Sequence, residues 1–190
     1  DEKTGKLLAD KLADTVLVDE KQALEIQKSV EKAKWVVTKV DEKQFTSTPA
    51  PPFITSTLQQ EANRKLGLST RDSMRVAQTL YEQGLITYMR TDSPNLSVQA
   101  IEGARAVIAK KYGKDFLPDE PRKYASKSKG AQEAHEAIRP SGESFPTPKE
   151  SGLTGKELAL YDLIWKRTVA SQMSDAKKLS MSVKIDAGEA

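Results

Sequence analysis

Apolar residues recur at helical spacing in five stretches of the chain, and each stretch has residue types that commonly begin or end a helix. In the first stretch, Ala23, Ile26 and Val30 form one apolar stripe that extends to about Lys34. Three of the stretches end before a glycine, namely Gly67, Gly84 and Gly113. The pattern predicts five helices that start at Asp19 with Gln22, Ser56 with Gln59, about Thr70, Ser97, and Thr154 with Glu157.

Alternating and β-branched residues lie mainly near the two ends of the chain. Residues 34–40 and 179–185 predict strands, and "LITYMR" directly after Gly84 predicts a short third strand. The proline-rich stretch 46–53 is too stiff for a helix or a central strand, and it predicts a domain boundary. Residues 113–153 predict loops, with one short helix in "AQEAHEAIR".

Strand-rich ends around a helical middle indicate that the two ends of the chain meet. We therefore predict an α+β, mainly α fold in which a helical unit, residues 53–175, is inserted into a partial β-rich unit formed by residues 1–52 and 176–190. The chain begins without methionine and stops inside a strand-like run, so we expect it to be a fragment of a longer protein.

The composition narrows the possible functions. The chain has 190 residues, a net charge of +3 and no cysteine, which excludes disulfides, thiolate metal sites and cysteine nucleophiles. Its single histidine excludes a multi-histidine metal site. The sequence has no D-x-D pair, other tight acidic cluster or glycine-rich phosphate loop. If the protein performs phosphoryl chemistry, we expect its metal site to be elsewhere or unnecessary.

The stretch "GLITYMRTDS" places Tyr88, Arg90 and Asp92 at alternate positions. In an extended backbone these three side chains point the same way. A tyrosine can act as a nucleophile if it is helped to lose its proton, and a planar guanidinium can hold two oxygens of a phosphate. The spacing alone also permits a packed tyrosine beside a surface ion pair.

The lone histidine lies in "QEAHEAIRPS". On a helix, His135 and Arg139 would share a face because they are four residues apart. Together they suit a phosphate, since both can donate hydrogen bonds and His135 can also move a proton. Glu136 would point elsewhere, toward a backbone cap. The alternative is a structural histidine that is satisfied by a neighbouring carboxylate.

Two basic stretches are candidates for contact with nucleic acid. The first, "RKYASKSKG", contains Tyr124, Lys127 and Lys129. It predicts a phosphate-contacting loop, although a solvated loop explains it equally well. The second, "RKLGLSTRDSMR", contains Arg64, Lys65, Arg71 and Arg75. Two helices joined by a short turn and followed by a strand are typical of winged DNA-binding domains.

Three motifs in one order, "PPFITSTLQQEANRKLG", "LYEQGLITYMRTDSPNLS" and "AQEAHEAIRPS", resemble the central part of the bacterial type IA DNA topoisomerases, from about Val16 onward. That family cuts one DNA strand by attack of a tyrosine, which gives a 5′-phosphotyrosyl link, and then reseals the strand. The resemblance implies that Tyr88 is the nucleophile, that Arg90 holds the scissile phosphate and that Asp92 belongs to the same motif. It also implies that His135 lies beside the phosphate. With the basic stretches included, the expected DNA-binding residues are Arg139, Ser56, Gln59, Arg64, Lys65, Arg71, Lys127 and Lys129.

The resemblance further implies a fold and a set of partners. A helical, winged-helix-like tyrosine domain, residues 53–175, would sit on an arched β domain to which residues 1–52 and 176–190 contribute. We expect Mg²⁺ only in the complete enzyme, through an acidic Toprim domain that precedes this region. A base domain would complete the groove for single-stranded DNA. The complete protein is expected to relax negatively supercoiled DNA without ATP at the nucleoid of the bacterial cytoplasm, away from membranes, and the fragment is expected to be inactive alone.

Two other hypotheses compete with this one. The chain could be a non-catalytic winged-helix DNA-binding module in which Tyr88 only packs, or a tyrosine-dependent recombinase or nuclease. The co-occurrence of "TYMRTDS" and "EAHEAIRPS" favours a cleaving enzyme, because a binding module needs neither. The discriminating observation is whether Tyr88, Arg90 and His135 converge on one phosphate-sized space.

Overall fold

The structure is a computed structural model, and it describes residues 17–124, 136–142 and 145–188. Its elements follow the chain in the order α1 Glu20–Lys32, β1 Val36–Ser47, α2 Thr55–Leu66, α3 Thr70–Glu82, α4 Val98–Lys111, a 3-10 turn at Lys114–Phe116, α5 Gly155–Ser171 and β2 Ala176–Asp186. These elements confirm the predicted mainly helical α+β class.

The chain divides into two compact units. The first comprises Asp1–Phe45 and Leu179–Ala190, and the second comprises Thr46–Lys178. The middle of the chain is therefore inserted between two segments of the first unit. The expected boundaries after residues 52 and 175 fall a few residues inside the second unit. The assignment of the two units to an arch domain and a tyrosine domain stays a prediction.

The first unit contains α1 and most of the paired strands β1 and β2. The N–H of Gln22 donates to Asp19 Oδ1 at 2.8 Å, and the N–H of Asp19 donates to Gln22 Oε1 at 3.0 Å. This reciprocal pair begins α1 as predicted, because it satisfies two N–H groups that have no partner within the helix. Within the described residues, neither α1 nor either strand has a buried side chain.

The second unit is built around α5, against which α2, α3 and α4 pack. Tyr161 and Trp165 of α5 are almost completely buried, together with Phe53, Leu58 and Leu80 from the surrounding segments. Each such side chain contributes about 1.5–3 kcal/mol relative to an exposed one. This apolar core supports the short segments on the surface of the unit, including the one that carries Tyr88.

Two of the predicted helix caps are wrong, although both helices begin close to the expected residues. Helix α2 begins at Thr55, and the N–H of Ile54 donates to Thr57 Oγ1 at 3.0 Å. Ser56 therefore lies inside the first turn, where it cannot act as the predicted cap, because a capping side chain must precede the helix. At the start of α5, Thr154 makes no capping hydrogen bond through its side chain.

The short strand predicted in "LITYMR" forms only one isolated bridge, between Ile86 and Pro140, and a second bridge joins Phe53 to Ile138. The backbone of this stretch bonds to the end of α3 and to residues 139–141, and the side chain of Thr55 bonds to the carbonyl of Met89. The helix predicted in "AQEAHEAIR" is wrong for residues 136–139, which are not helical. The N–H of Ile138 instead donates to the carbonyl of Phe53 at 2.8 Å. Residues 131–135 lie outside the described part.

Candidate active site

The chain reverses direction between α3 and Tyr88. Gly84 has a left-handed backbone (φ 72°) that a side chain would strain. Its N–H donates to the carbonyl of Tyr81 at 2.8 Å, and the N–H of Leu85 donates to that of Leu80 at 2.9 Å. These bonds satisfy carbonyls at the end of the helix that have no partner within it. The reversal places Tyr88 beside the last turn of α3.

The segment after this turn alternates between exposed and buried residues. Tyr88, Arg90 and Asp92 are exposed. Met89 and Ser93, which alternate with them, are only 1% and 2% exposed. This alternation agrees with the predicted extended backbone, which turns the phenol, the guanidinium and the carboxylate toward solvent.

Tyr88 contacts a second tyrosine. The centroids of the Tyr81 and Tyr88 rings are 5.3 Å apart, and the ring planes meet at 68° in an edge-to-face arrangement. Both side chains stay partly accessible, at 41% and 45% exposure. The phenol of Tyr88 is therefore open to a ligand, while one side of its ring rests on α3.

Thr55, the first residue of α2, fixes the backbone on both sides of Arg90. Its hydroxyl lies 2.9 Å from the carbonyl oxygen of Met89 and 3.0 Å from that of Thr91, and it accepts a hydrogen bond from the N–H of Thr91 at 2.9 Å. The N–H of Thr55 also donates to the carbonyl of Thr91 at 2.9 Å. The start of α2 is thus bonded to the residues that flank Arg90.

Thr87, the residue directly before Tyr88, bonds to the "EAIRPS" segment. Its N–H donates to the carbonyl of Arg139 at 2.9 Å. Its hydroxyl donates to the carbonyl of Ala137 at 2.7 Å and accepts from the N–H of Arg139 at 3.0 Å. The two motifs that were recognised separately in the sequence are therefore in direct contact.

Glu136 connects the same segment to α4. Its Oε1 accepts from the N–H of Ser97, the N-cap residue of α4, at 3.1 Å, which confirms the predicted backbone cap. Its Oε2 pairs with Arg139 Nη2 at 2.6 Å. Arg139 is only 11% exposed, donates to the carbonyl of Pro140 at 2.9 Å and lies 6.0 Å from the ring centroid of Phe145. In this structure its guanidinium is bonded within the protein.

Arg64 and Lys65, two basic residues of α2, both pair with the carboxylate of Glu61. Glu61 pairs with Arg64 at 2.8 Å, with Lys65 at 3.0 Å and with Arg167 of α5 at 3.5 Å. The hydrogen bond from Lys65 is the main reason that the pKa of Glu61 lies below its usual value. Arg167 also stacks 4.2 Å from the ring centroid of Phe53. Arg64 and Lys65 remain largely exposed, at 67% and 48%.

The other expected DNA-binding residues are spread over the surface of α2 and α3. Ser56 and Arg71 are exposed, and Gln59 is half-buried. Three of the predicted site residues lie outside the described part of the chain, namely His135, Lys127 and Lys129.

Tyr124, expected in a phosphate-contacting loop, is anchored within the second unit. Its hydroxyl lies 2.8 Å from the carbonyl oxygen of Ser171 and 3.3 Å from that of Pro49. Burial raises the pKa of this phenol above its usual value. The start of the basic loop is therefore fixed to the end of α5 and to the proline-rich stretch.

Two further findings concern metals and membranes. Across residues 17–124, 136–142 and 145–188, no group of three or more His, Cys, Asp or Glu side chains is arranged to hold a metal ion. In the same part of the chain, the helices are too short or too polar to span a bilayer.

Comparison with known proteins identifies the family to which the chain belongs. A family model described as "DNA topoisomerase" matches residues 2–190. The chain belongs to the DNA topoisomerase family. DNA topoisomerase 1 of Synechococcus elongatus is 54% identical over 190 residues, which are 100% of this chain and 21% of that protein. DNA topoisomerase 1 of Streptomyces coelicolor is 55% identical over 175 residues, which are 92% of this chain and 18% of that protein.

A solved structure is similar as well. The full-length topoisomerase I of Thermotoga maritima matches with a TM-score of 0.66 and 38% identity, over 88% of this chain and 27% of that one. The resemblance of the three motifs to DNA topoisomerases is therefore confirmed, and this topoisomerase chain spans about a fifth of the length of the curated relatives it matches.

Three residues of this topoisomerase chain that support the Tyr88 segment were missed in the sequence, namely Thr55, Thr87 and Tyr81. The two threonines lie within the quoted motifs, but their hydroxyls bond to backbone groups 34 to 52 residues away. The only available signal was their position, at the start of a helix and directly before the tyrosine.

Proposed function

We propose that this chain is the tyrosine-bearing part of a type IA DNA topoisomerase and that Tyr88 is its nucleophile. The observation that carries the proposal is an accessible phenol on a backbone segment that is bonded on both sides, with an exposed guanidinium two residues further on. The relatives named DNA topoisomerase 1 support the same assignment.

In the proposed reaction, the phenolate oxygen of Tyr88 attacks the phosphorus of a phosphodiester in one DNA strand. A bond forms between that oxygen and the phosphorus, and the bond from phosphorus to the 3′ oxygen of the DNA breaks. The phenol loses its proton, and the departing 3′ oxygen gains one. The phosphotyrosyl ester conserves the energy of the broken bond, so reversal reseals the strand without ATP.

The neighbouring residues have distinct proposed roles. Arg90 holds two oxygens of the scissile phosphate through its planar fork and stabilises the charge that develops there, in the attack and in its reversal. His135 supplies the proton to the departing oxygen. Asp92 orients Arg90 or takes part in the movement of protons.

The proposal extends to the parent protein. Residues 53–175 would form the tyrosine domain, with α2 and α3 in a winged-helix-like arrangement, and residues 1–52 and 176–190 would belong to the arch. The substrate would be a single-stranded segment of negatively supercoiled DNA, at the bacterial nucleoid. An acidic domain elsewhere in the parent would hold Mg²⁺, and no step above depends on it.

The test uses the full-length parent enzyme and a single-stranded oligonucleotide labelled at its 3′ end, because a 5′-phosphotyrosyl link retains that label on the protein. Denaturation with detergent traps the covalent adduct. We expect wild-type enzyme to form the adduct and Tyr88→Phe to form none, since that variant loses only one hydroxyl. Tyr112→Phe is the matched control, because Tyr112 is exposed to a similar extent, 41%, at the end of α4.

The result separates the hypotheses. An adduct in the Tyr88→Phe enzyme would show that another residue is the nucleophile. Binding of the oligonucleotide by wild-type enzyme without any adduct would favour the non-catalytic DNA-binding module.

A further inference from the structure

The segment around Tyr88 lacks the support of a regular sheet. It has one isolated bridge, at Ile86, so its position depends on individual hydrogen bonds. Those next to Tyr88 and Arg90 are made by Thr87 and Thr55, partly through their backbone N–H groups and partly through their hydroxyls.

Each hydroxyl both donates and accepts. The Thr87 hydroxyl donates to the carbonyl of Ala137 and accepts from the N–H of Arg139. The Thr55 hydroxyl accepts from the N–H of Thr91, and its proton can reach the carbonyl of either Met89 or Thr91. A serine reproduces this two-way bonding, whereas a valine of almost the same shape cannot donate or accept.

The two hydroxyls act on opposite sides of the proposed reacting groups. Thr87 is held directly before Tyr88, and Thr55 bonds to Met89 and Thr91, which flank Arg90. The backbone of Tyr88 and Arg90 therefore lies between bonded residues. The side chain of Met89 is buried, which also restrains this short stretch.

We propose that the hydroxyls of Thr87 and Thr55 are positioning groups, which keep the phenol of Tyr88 and the guanidinium of Arg90 aligned on the same phosphate. This inference rests on the proposed function. Neither hydroxyl touches the reacting atoms in this role. Such positioning affects the reaction because a displacement of about 1 Å in a reacting group can lower the rate by about 10²-fold.

The experiment compares Thr87→Val and Thr55→Val with Thr87→Ser and Thr55→Ser in the full-length enzyme. Single-turnover cleavage of a single-stranded oligonucleotide gives the rate of the chemical step. Binding of the same oligonucleotide is measured separately in a Tyr88→Phe background. Thr79→Val is the matched control, because the Thr79 hydroxyl donates to a helix carbonyl of α3, that of Arg75, at 3.2 Å.

We expect each valine variant to cleave about 10- to 100-fold more slowly and to bind with a Kd within about two-fold of wild type. The serine variants should recover the rate to within about three-fold, since they keep the hydroxyl. Hydrogen exchange followed by mass spectrometry should show faster exchange in peptides that cover residues 85–91 and 136–142 for the valine variants. A general loss of stability would instead raise exchange throughout the second unit.

The outcomes are separable from those of the proposed function. If Tyr88→Phe abolishes the adduct but both valine variants cleave at the wild-type rate, the positioning role is refuted and the nucleophile stands. If Tyr88→Phe still forms the adduct, the proposed function itself fails. For a valine variant that does not fold, the alanine variant replaces it: a slow rate restored by serine supports the role, and a wild-type rate overturns it.

Discussion

The ring of Tyr81 meets the ring of Tyr88 edge to face, with centroids 5.3 Å apart. Tyr81 belongs to the last turn of α3, and Tyr88 lies beyond the reversal at Gly84. The helix end and the turn thus bring two aromatic residues together across a gap of seven positions in the sequence. Tyr88, the proposed nucleophile, therefore contacts α3, and α3 packs against α2 and α5.

This contact predicts that replacing Tyr81 by leucine slows strand cleavage. An aromatic pair contributes about 0.5–1.5 kcal/mol beyond simple burial, so we expect a loss of roughly 2- to 10-fold. Tyr81→Phe should cleave like wild type, because the contact needs the ring and not the hydroxyl. Single-turnover cleavage by the full-length enzyme measures both. Equal rates for the leucine variant and wild type would show that the contact does not orient Tyr88.

Arg90→Lys should impair cleavage more than its preserved charge suggests. An ammonium group cannot hold two phosphate oxygens as a planar fork does. We expect turnover to fall by about 10²-fold, as on removal of one donor that stabilises a transition state. Relaxation of supercoiled plasmid by the full-length enzyme measures this. Turnover near that of wild type would mean that only the charge at position 90 matters.

Glu136→Gln should destabilise the second unit. The variant keeps an oxygen for the N–H of Ser97 but loses the ion pair with Arg139, whose guanidinium is largely buried. We expect the free energy of unfolding to fall by about 1–2 kcal/mol. Urea unfolding of the 190-residue chain measures the change. Asp162→Asn is the control, since its pair with Lys166 is exposed and should contribute less than about 0.5 kcal/mol.

The stability of the second unit should fall in alkali because of Tyr161. Burial is the main cause that raises the pKa of this phenol to about 12, whereas tyrosine in an unfolded chain titrates near pH 10. Between these two values the unfolded state releases the proton and the folded state keeps it, so the free energy of unfolding decreases as the pH rises. The contribution is complete below about pH 10, and the loss across the window amounts to about 2–3 kcal/mol.

Tyr161→Phe should remove the part of that slope that is due to Tyr161, whereas the part due to Tyr124, whose pKa is also raised by burial, should remain. Urea unfolding of the chain at several values between about pH 9 and pH 12 tests this through the difference between wild type and variant. Tyr112→Phe should keep the slope, because Tyr112 is exposed. A difference that stays constant with pH would contradict the prediction.

Local features were predictable because their causes lie within a few residues. Asp19 and Gln22 are neighbours on one helical turn, so their capping pair could be recognised from spacing alone. The alternation around Tyr88 follows from the two-residue period of an extended chain. In both cases all the groups that take part lie within one short stretch of the sequence.

The supports of the site were not predictable because their causes are distant in the sequence. A helix was expected through residues 136–139, but the N–H of Ile138 bonds to the carbonyl of Phe53, which lies on another segment. The pairing of Arg139 with Glu136 was not predicted, and the expected contact of Arg139 with DNA stays a prediction. The role of the Thr87 hydroxyl depends on a segment about 50 positions further along the chain.

That separation has a consequence for the nascent protein. Arg139 follows Thr87 by 52 residues, so at about 5–20 residues per second the ribosome adds it roughly 3 to 10 s later. Under the proposed function, the nucleophile is synthesised first and the segment to which Thr87 bonds is synthesised later. Cleavage at the full rate is then expected only after folding joins the two segments. A truncated translation product that ends between Tyr88 and Ala137 would carry the tyrosine without the residues to which Thr87 bonds and without α5, so we expect it to cleave DNA far more slowly than the complete enzyme.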